Sequence, residues 1–263
     1  MATHTNSTTI DYETGSSKAA PLFRQIMTQV QYELLLTLRR GENILVTLIV
    51  PVMLLIFFAS LNIGPSVNGS TINFLLPGIL AIAIIAAGMV NLGIATAYER
   101  YYGVLKRLGS SPLPRSGLII AKVISILILE VIQFILLVGV AVLFYHWQPA
   151  GSALLTLLAI ALGTIAFAAF GLAMAGALRA ELTLAGANAL FLVFVFLGGG
   201  VLPLNRLPEP LSALAELLPA TALTQALQTT MTTKGGFPGY PLLVLTIWAV
   251  VMLVIAIRTF KWE

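Results

Sequence analysis

Long apolar stretches separated by shorter polar connections run through most of the sequence. A helix needs about 20 mainly apolar residues to cross the hydrocarbon core of a membrane. Stretches that approach this requirement cover residues 44–61, 74–97, 118–144, 153–178, 184–202 and 242–257. The pattern predicts an all-α integral membrane protein with six transmembrane helices, which we number as spans 1 to 6. Pro51, near the middle of span 1, predicts a kink in that helix.

The composition supports a membrane protein and excludes other classes. Apolar residues make up 59% of the 263 residues and charged residues only 9%, whereas about a quarter of the residues in a soluble domain are charged. A soluble enzyme and a disordered protein are therefore excluded. The net charge of +4 is scattered between apolar stretches, so we expect no basic surface for nucleic acid.

Lysine and arginine are concentrated on one side of the predicted spans. The side with both termini carries Lys18, Arg24, Arg39, Arg40, Arg100, Lys106, Arg107, Arg115, Arg179, Arg258 and Lys261. The connections on the other side carry only Arg206 and Lys234. Because cytoplasmic connections of membrane proteins are enriched in basic residues, we expect both termini in the cytoplasm.

The region before span 1 divides into two parts. Residues 1–20 are polar and rich in serine and threonine, which predicts a disordered cytoplasmic tail, and residues 21–263 then form a single domain. Residues 21–40 place apolar side chains at spacings of three and four, and this period predicts an amphipathic helix in the membrane surface. That helix is either a lead-in to span 1 or a docking surface for a cytoplasmic partner.

Two connections contain structure of their own. Residues 98–115, YERYYGVLKRLGSSPLPR, predict a short cytoplasmic helix that Gly109 ends, and this piece is either a protein contact or a solvated loop. Residues 211–218 and 221–231, between spans 5 and 6, are apolar but too short to cross. They predict two re-entrant half-helices in the outer leaflet, shielded by protein or water. An ordinary extracellular helical hairpin is the alternative.

Few polar side chains fall inside the spans. An ionised carboxylate in hydrocarbon costs roughly 3 kcal/mol or more, so Glu130 should face the bundle interior, with Gln133 one turn later. Glu130 is a proton relay, a contact for a cationic substrate, or a protonated acid hydrogen-bonded to a neighbouring helix. Lys122 should extend its amine to the membrane surface, and Asn91 and Asn188 should hydrogen-bond across helices. The alanines and glycines of span 4 predict close helix packing.

The sequence lacks the motifs of an enzyme. The histidines, His4 and His146, do not combine with acidic residues at metal-ligand spacing. Glycine-rich phosphate-binding loops and nucleophile motifs are also missing from the sequence. We expect no metal site, no cofactor held by this chain and no catalytic activity.

Several stretches resemble the ABC-2 type transporter permeases. In that family a Glu-Arg pair, then G-x-L-x-R-L, then a small-residue Pro-Leu sequence forms the cytoplasmic coupling element between spans 2 and 3. The matching positions are Glu99, Arg100, Gly103, Leu105, Arg107, Leu108, Pro112 and Leu113. The run FLGGGVLPLNRLPEPLSALAELLPATALTQAL is similar to the family's stretch from span 5 into the outer half-helices, and RTFKWE is similar to the C-terminus of bacterial drug-export-type members.

The resemblance implies a dimer of six-span subunits in a bacterial or archaeal plasma membrane, each bound to a cytoplasmic ATPase that holds ATP and Mg²⁺. The chain would export a hydrophobic drug, lipid or similar compound. The residues that would couple to the ATPase are Glu99, Arg100, Gly103, Lys106, Arg107, Leu108, Pro112, Arg24 and Arg39. Spans 2 and 5 would line the route, and its polar groups would be Asn91, Glu130 and Asn188.

Two other functions stay open. The first is a carrier driven by ions or protons without an ATPase, for which Glu130 is the best support. Such carriers usually show inverted repeats and broken helices near the midplane, and neither is clear in this sequence. The second is a membrane anchor for an assembly complex, without transport.

Overall fold

The computed structural model describes residues 20–39, 41, 45–67 and 69–259. The predicted tail (residues 1–19), Arg40, the first residue of predicted span 1 and most of the C-terminal RTFKWE stretch lie outside these ranges. Within them the chain forms helices and no β-strands. The elements are α1 (Leu22–Arg39), a π-helical turn (Leu45–Ile49), α2 (Val50–Ser60), α3 (Ile72–Ile85), a second π-helical turn (Ala86–Asn91), α4 (Leu92–Tyr101), α5 (Val104–Leu108), α6 (Arg115–Tyr145), α7 (Ala153–Ala177), α8 (Ala180–Leu197), a 3-10 turn (Leu204–Arg206), α9 (Glu209–Glu216), α10 (Pro219–Thr232) and α11 (Gly239–Thr259).

Five helical stretches in the described ranges are long and apolar enough to cross a membrane. They are Ile72–Tyr101, Arg115–Tyr145, Ala153–Ala177, Ala180–Leu197 and Gly239–Thr259, and they coincide with predicted spans 2 to 6. The all-α membrane fold is therefore confirmed. Span 1 is represented by a shorter apolar helix, Thr47–Ser60, so its crossing stays a prediction. Pro51 lies in the first turn of α2, directly after a π-helical turn, where the helix geometry changes.

Span 5 ends earlier than the sequence predicts. Its helix stops at Leu197, whereas the apolar run continues to residue 202. Gly198 caps the helix, and Gly199 has a φ of +73°, a conformation that favours glycine because it has no Cβ. The helix therefore breaks at these glycines, inside the predicted span.

Small residues bring span 2 close to span 4, as predicted. A Cβ added to Gly93 in α4 would lie 2.9 Å from the Cα of Gly171 in α7, and one added to Gly88 would lie 3.0 Å from the backbone nitrogen of Ala168. Contacts this short leave no space for a side chain. The two helices therefore pack backbone against backbone, which is the arrangement that small residues permit in membrane proteins.

The two helices between spans 5 and 6 have different surroundings. α10 is largely buried and packs against α3, α7 and α11, and the Thr221 hydroxyl donates to the Leu197 carbonyl over 3.1 Å. α9 buries only Ala215. Both helices lie where the sequence predicts short helices, and protein shields the α10 backbone. Whether they re-enter the membrane stays a prediction.

Candidate coupling site at the basic end of the bundle

One end of the bundle, called here the basic end, brings together α1, α5, the start of α6 and the turn between α7 and α8. Ile26 and Leu34 of α1 pack against the same apolar cluster as Leu105 of α5 and Leu113, which precedes α6. Leu105 is only 1% exposed. Helix 21–40 and the 98–115 piece, which the sequence singles out separately, therefore share one small core.

Lys122 lies inside this end of the bundle, and the expectation that its amine reaches the membrane surface is wrong. Its side chain is 1% exposed, and its Nζ lies 2.9 Å from Glu33 Oε1 and 2.8 Å from Glu99 Oε2. Two carboxylates compensate the burial of the ammonium, which would otherwise cost several kcal/mol. Gln29 donates from Nε2 to Glu33 Oε1 over 3.0 Å and orients that carboxylate.

Glu33 is the residue that sequence reasoning missed. It is the only acidic residue in the predicted helix 21–40, and this isolation was the available signal. A single acid on a helix that carries arginines suits a solvent-exposed ion pair as well as a buried one. The pairing of Glu33 with Lys122 depends on the packing of α1 against α6, which the sequence does not show.

Arg100 is held by the turn between α7 and α8. Its Nη1 donates to the Gly176 carbonyl over 2.7 Å and its Nη2 donates to the Leu178 carbonyl. These carbonyls end α7, where a positive charge offsets the helix dipole. The guanidinium of Arg100 and the carboxylate of Glu99 are thus engaged within the chain, on two sides of α4.

Other predicted coupling residues lie at the surface. Arg24, Arg39, Lys106, Arg107 and Pro112 are exposed, Leu108 is half-buried, and Gly103, with a φ of +70°, forms the turn that starts α5. A groove of about 290 Å³ lies between α1 and the end of α5, and Arg24, Gln25, Leu108 and Pro112 are among the residues that line it. We call it the α1–α5 groove.

The predicted route residues are not gathered in one place. Asn91 donates from Nδ2 to Thr47 Oγ1 at 3.5 Å, so its predicted bond across helices is confirmed, although it is long. Asn188 is exposed and donates to the Leu184 carbonyl of its own helix over 2.8 Å. The expectation that it bonds across helices is therefore wrong for the part of the chain that the structure describes.

Glu130 and Gln133 are fully buried on the inward face of α6, both 0% exposed. Neither carboxyl oxygen of Glu130, and neither polar atom of the Gln133 amide, has a hydrogen-bond partner among the described residues. A bond from Glu130 to a neighbouring helix is therefore not found there. Buried polar groups without partners are rare and point to function or strain.

Metal ligands do not gather in the described ranges, where no three histidine or acidic side chains form a cluster that could hold a metal ion. At the basic end, Lys122 contacts the carboxylates of Glu33 and Glu99, and Arg100 contacts backbone carbonyls. The described charged groups therefore hold neighbouring helices together through ion pairs and hydrogen bonds.

The bundle of long apolar helices, with internal ion pairs at its basic end, defines a multi-pass membrane protein. The family model described as ABC-2 type transporter matches residues 24–232. The chain belongs to this family, and it is the membrane permease component of an ABC transporter.

Curated relatives support the same assignment. The chain is 29% identical over 222 residues to the "Putative transport permease ycf38" of Porphyra purpurea, covering 80% of this chain and 75% of the relative. It is 28% identical to the protein of the same name from Pyropia yezoensis, over 75% and 70% of the two chains. It is 24% identical to the "Probable multidrug ABC transporter permease YbhS" of Escherichia coli strain K12, over 59% of this chain and 42% of the relative.

Proposed function

We propose that the chain is the transmembrane subunit of an ATP-driven exporter, with a separate ATPase bound at the basic end. This end faces the cytoplasm, because it holds the basic connections that membrane proteins keep inside. Both termini are then cytoplasmic, the membrane is a bacterial or archaeal plasma membrane, and span 1 completes six crossings. ATP and Mg²⁺ are held by the ATPase.

The α1–α5 groove is the observation that carries the proposal. Arg24 comes from α1, and Leu108 and Pro112 come from the coupling element, yet all line one groove. Lys106 and Arg107 lie exposed on the adjoining helix. A partner that fills this groove contacts α1 and α5 together, and their shared core passes its displacement on to α6.

The route lies between two copies of the chain, along span 5. Only 22% of the most apolar stretch of span 5 is buried, and Asn188 is exposed on this helix. Its amide bonds only to the Leu184 carbonyl of its own helix, and contact with hydrocarbon leaves its other hydrogen-bonding groups unused, so a second copy and the substrate are better neighbours for it. Asn91 and Glu130 line the route only when the helices around span 2 separate.

The substrate is a hydrophobic drug, lipid or similar compound. The spans carry few polar side chains, so they offer little to a sugar polymer or a strongly charged solute. The relative YbhS bears the name "Probable multidrug ABC transporter permease", which agrees with an apolar substrate and with export.

A proton-coupled carrier is the second candidate, and one observation favours it. Glu130 is a fully buried carboxyl group without a partner in the described part of the chain, and such groups in membranes often bind protons during transport. Within the described ranges, its carboxyl oxygens contact no hydrogen-bonding group that could continue a relay.

Transport in vesicles separates the two candidates. A fluorescent hydrophobic dye is added outside inverted membrane vesicles that contain the chain and its ATPase, and uptake of the dye is followed. We expect uptake that requires ATP and continues when ionophores collapse the proton and ion gradients. Uptake by the chain alone, driven by a proton gradient without nucleotide, would contradict the proposal and support the carrier.

A matched pair of charge reversals tests the docking surface. Arg107→Glu places a negative charge beside the α1–α5 groove, and Lys234→Glu does the same at an exposed position at the opposite end. We expect the ATPase to be lost from the purified complex only with Arg107→Glu, by about tenfold in affinity or more, which corresponds to about 1.4 kcal/mol. Equal binding by both variants would remove this surface from the docking site.

A further inference from the structure

We propose that Lys122 is a positioning residue that makes α1, the end of α4 and the start of α6 move as one body when the ATPase acts. This inference rests on the proposed function and names a residue that neither the family motif nor the docking surface contains. Lys122 reaches no surface, since it is 1% exposed. Any part it plays in coupling is therefore carried by the two carboxylates it contacts.

The contacts of Lys122 join three separate elements at a single nitrogen. Glu33 belongs to α1, Glu99 belongs to α4, and Lys122 itself lies in the second turn of α6. Both carboxylate oxygens lie within 3 Å of its Nζ, at 2.9 and 2.8 Å. α4 passes into α5 through Tyr102 and Gly103 alone, so a displacement of α5 arrives almost directly at Glu99.

Apolar packing joins these elements, but it is interrupted beside Lys122. Leu92 of α4 and Leu118 of α6 belong to the apolar cluster against which Ile26 of α1 packs. A cavity of about 60 Å³ lies beside the ammonium, and its lining includes Glu33, Thr47, Asn91, Glu99, Lys122 and Ser125. Close-packed side chains transmit displacement because interiors resist compression, and a cavity interrupts that contact. The ion pairs span the interruption, so they add a direct link from α4 to α1 and α6 where packing is weakest.

The charges explain why losing Lys122 would have a larger effect than losing one contact. With Lys122 present, one ammonium attracts two carboxylates. Without it, Glu33 and Glu99 would face each other as like charges in a poorly solvated site, where repulsion is much stronger than in water. The loss of Lys122 therefore separates α1 from α4 and does not simply remove a contact.

Distance measurements between spin labels test the inference. The chain has no cysteine, so Gln31→Cys on α1 and Ser110→Cys after α5, both exposed positions, give a single labelled pair. The complex with its ATPase is placed in lipid vesicles and compared without nucleotide and with ATP plus vanadate. The test variant is Lys122→Met combined with Glu33→Gln and Glu99→Gln, because removing all three charges leaves no unpaired ion and allows the protein to fold. Lys122→Arg retains the positive charge as a matched control.

In the unsubstituted chain and in Lys122→Arg, we expect one narrow distance that nucleotide leaves unchanged, because α1 and α5 move together. In the uncharged triple variant, we expect nucleotide to change the distance by about 2 Å or more, the size of helix shifts in switching proteins. The same unchanged distance in the triple variant would overturn the inference.

A second labelled pair distinguishes failure of this inference from failure of the proposed function. Ser110→Cys with Gln148→Cys, an exposed residue beyond the far end of α6, reports whether the coupling element moves relative to the opposite end of the bundle. We expect ATP plus vanadate to change this distance in the unsubstituted complex. No change would reject ATP-driven coupling itself, and the role of Lys122 would fall with it.

Discussion

Spans 2 and 5, which we expected to line the same route, have opposite surroundings. In span 2, 78% of the most apolar stretch is buried by other helices of the chain, whereas the corresponding share in span 5 is 22%. A helix that is apolar on all sides and buried by its own chain is a structural centre. Span 5 is only slightly less apolar, with a mean hydropathy of 1.9 against 2.3, but it lacks protein neighbours over most of its surface, so a second copy, lipid or substrate must cover it.

The side chains explain the difference. Span 2 has Gly88 and Gly93 where span 4 approaches most closely, and these small residues permit burial by neighbouring helices. Span 5 instead directs Leu192 and Phe196 outward, each 55% exposed. Large exposed apolar side chains cannot intercalate into a tight helix pair of the same chain, but they suit a looser surface whose occupant changes during transport.

The largest expected difference between the two spans is in crosslinking between copies. Asn188 of span 5 is exposed, whereas Asn91 of span 2 is half-buried. Because the chain has no cysteine, Asn188→Cys and Asn91→Cys each introduce a single thiol. Under mild oxidation in membranes we expect a disulfide-linked dimer from Asn188→Cys and none from Asn91→Cys. Dimer bands from both, or from Asn91→Cys alone, would contradict the assignment of span 5 to the route.

Replacing a glycine by leucine should destabilise the protein more in span 2 than in span 5. Gly93→Leu places a Cβ 2.9 Å from the Cα of Gly171, whereas the nearest neighbour of a Cβ at Gly186 in span 5 is the flexible end of Met174, at 3.2 Å. Overpacking against backbone costs about 3 kcal/mol or more, and we expect Gly186→Leu to cost less than about 1 kcal/mol. Thermal unfolding in detergent measures both variants. Equal melting temperatures would show that span 2 is not the centre of the bundle.

The sequence predicted the helices well because their signal is local. Runs of apolar residues and the breaks at glycine and proline placed spans 2, 3, 4 and 6 within a few residues of the observed helices. Surroundings were not predictable in the same way, since spans 2 and 5 are both strongly apolar. The small residues of span 4 predicted close helix packing without naming the neighbour.

The candidate site shows the same limit. The motif singles out Glu99 and Arg100, but consecutive residues on a helix point about 100° apart, and the sequence does not say what lies on either side. Their partners, Lys122 and the carbonyls that end α7, are distant in sequence. Lys122 in an apolar helix fits an amine that reaches the surface equally well, so only the packing of α1 against α6 showed its partners.

The arginines beside the two spans also have different surroundings. Arg100, near the end of span 2, donates to two carbonyls that end α7, whereas Arg179, just before span 5, is exposed. Arg100→Gln should lower the free energy of unfolding by about 2 kcal/mol, as expected for hydrogen bonds from a charged donor. Arg179→Gln should change it by less than about 0.5 kcal/mol. Both are measured by denaturant unfolding in mixed micelles. A larger loss with Arg179→Gln would mean that the α7–α8 turn is held by its own arginine.

The smallest expected effect comes from the two asparagines replaced by alanine. Asn91 bonds across to Thr47 at 3.5 Å, whereas Asn188 bonds only to the Leu184 carbonyl of its own helix. Both substitutions improve intrinsic helix preference by the same amount, so their difference compares the bond between helices with the bond inside span 5. We expect Asn91→Ala to be less stable than Asn188→Ala by about 0.6 kcal/mol, the average for such bonds in membrane proteins. If Asn188→Ala is the less stable variant in the same unfolding assay, the exposed face of span 5 makes a stabilising contact before any substrate or nucleotide is added. That result would make this face a permanent interface, and span 5 would then not line a transport route.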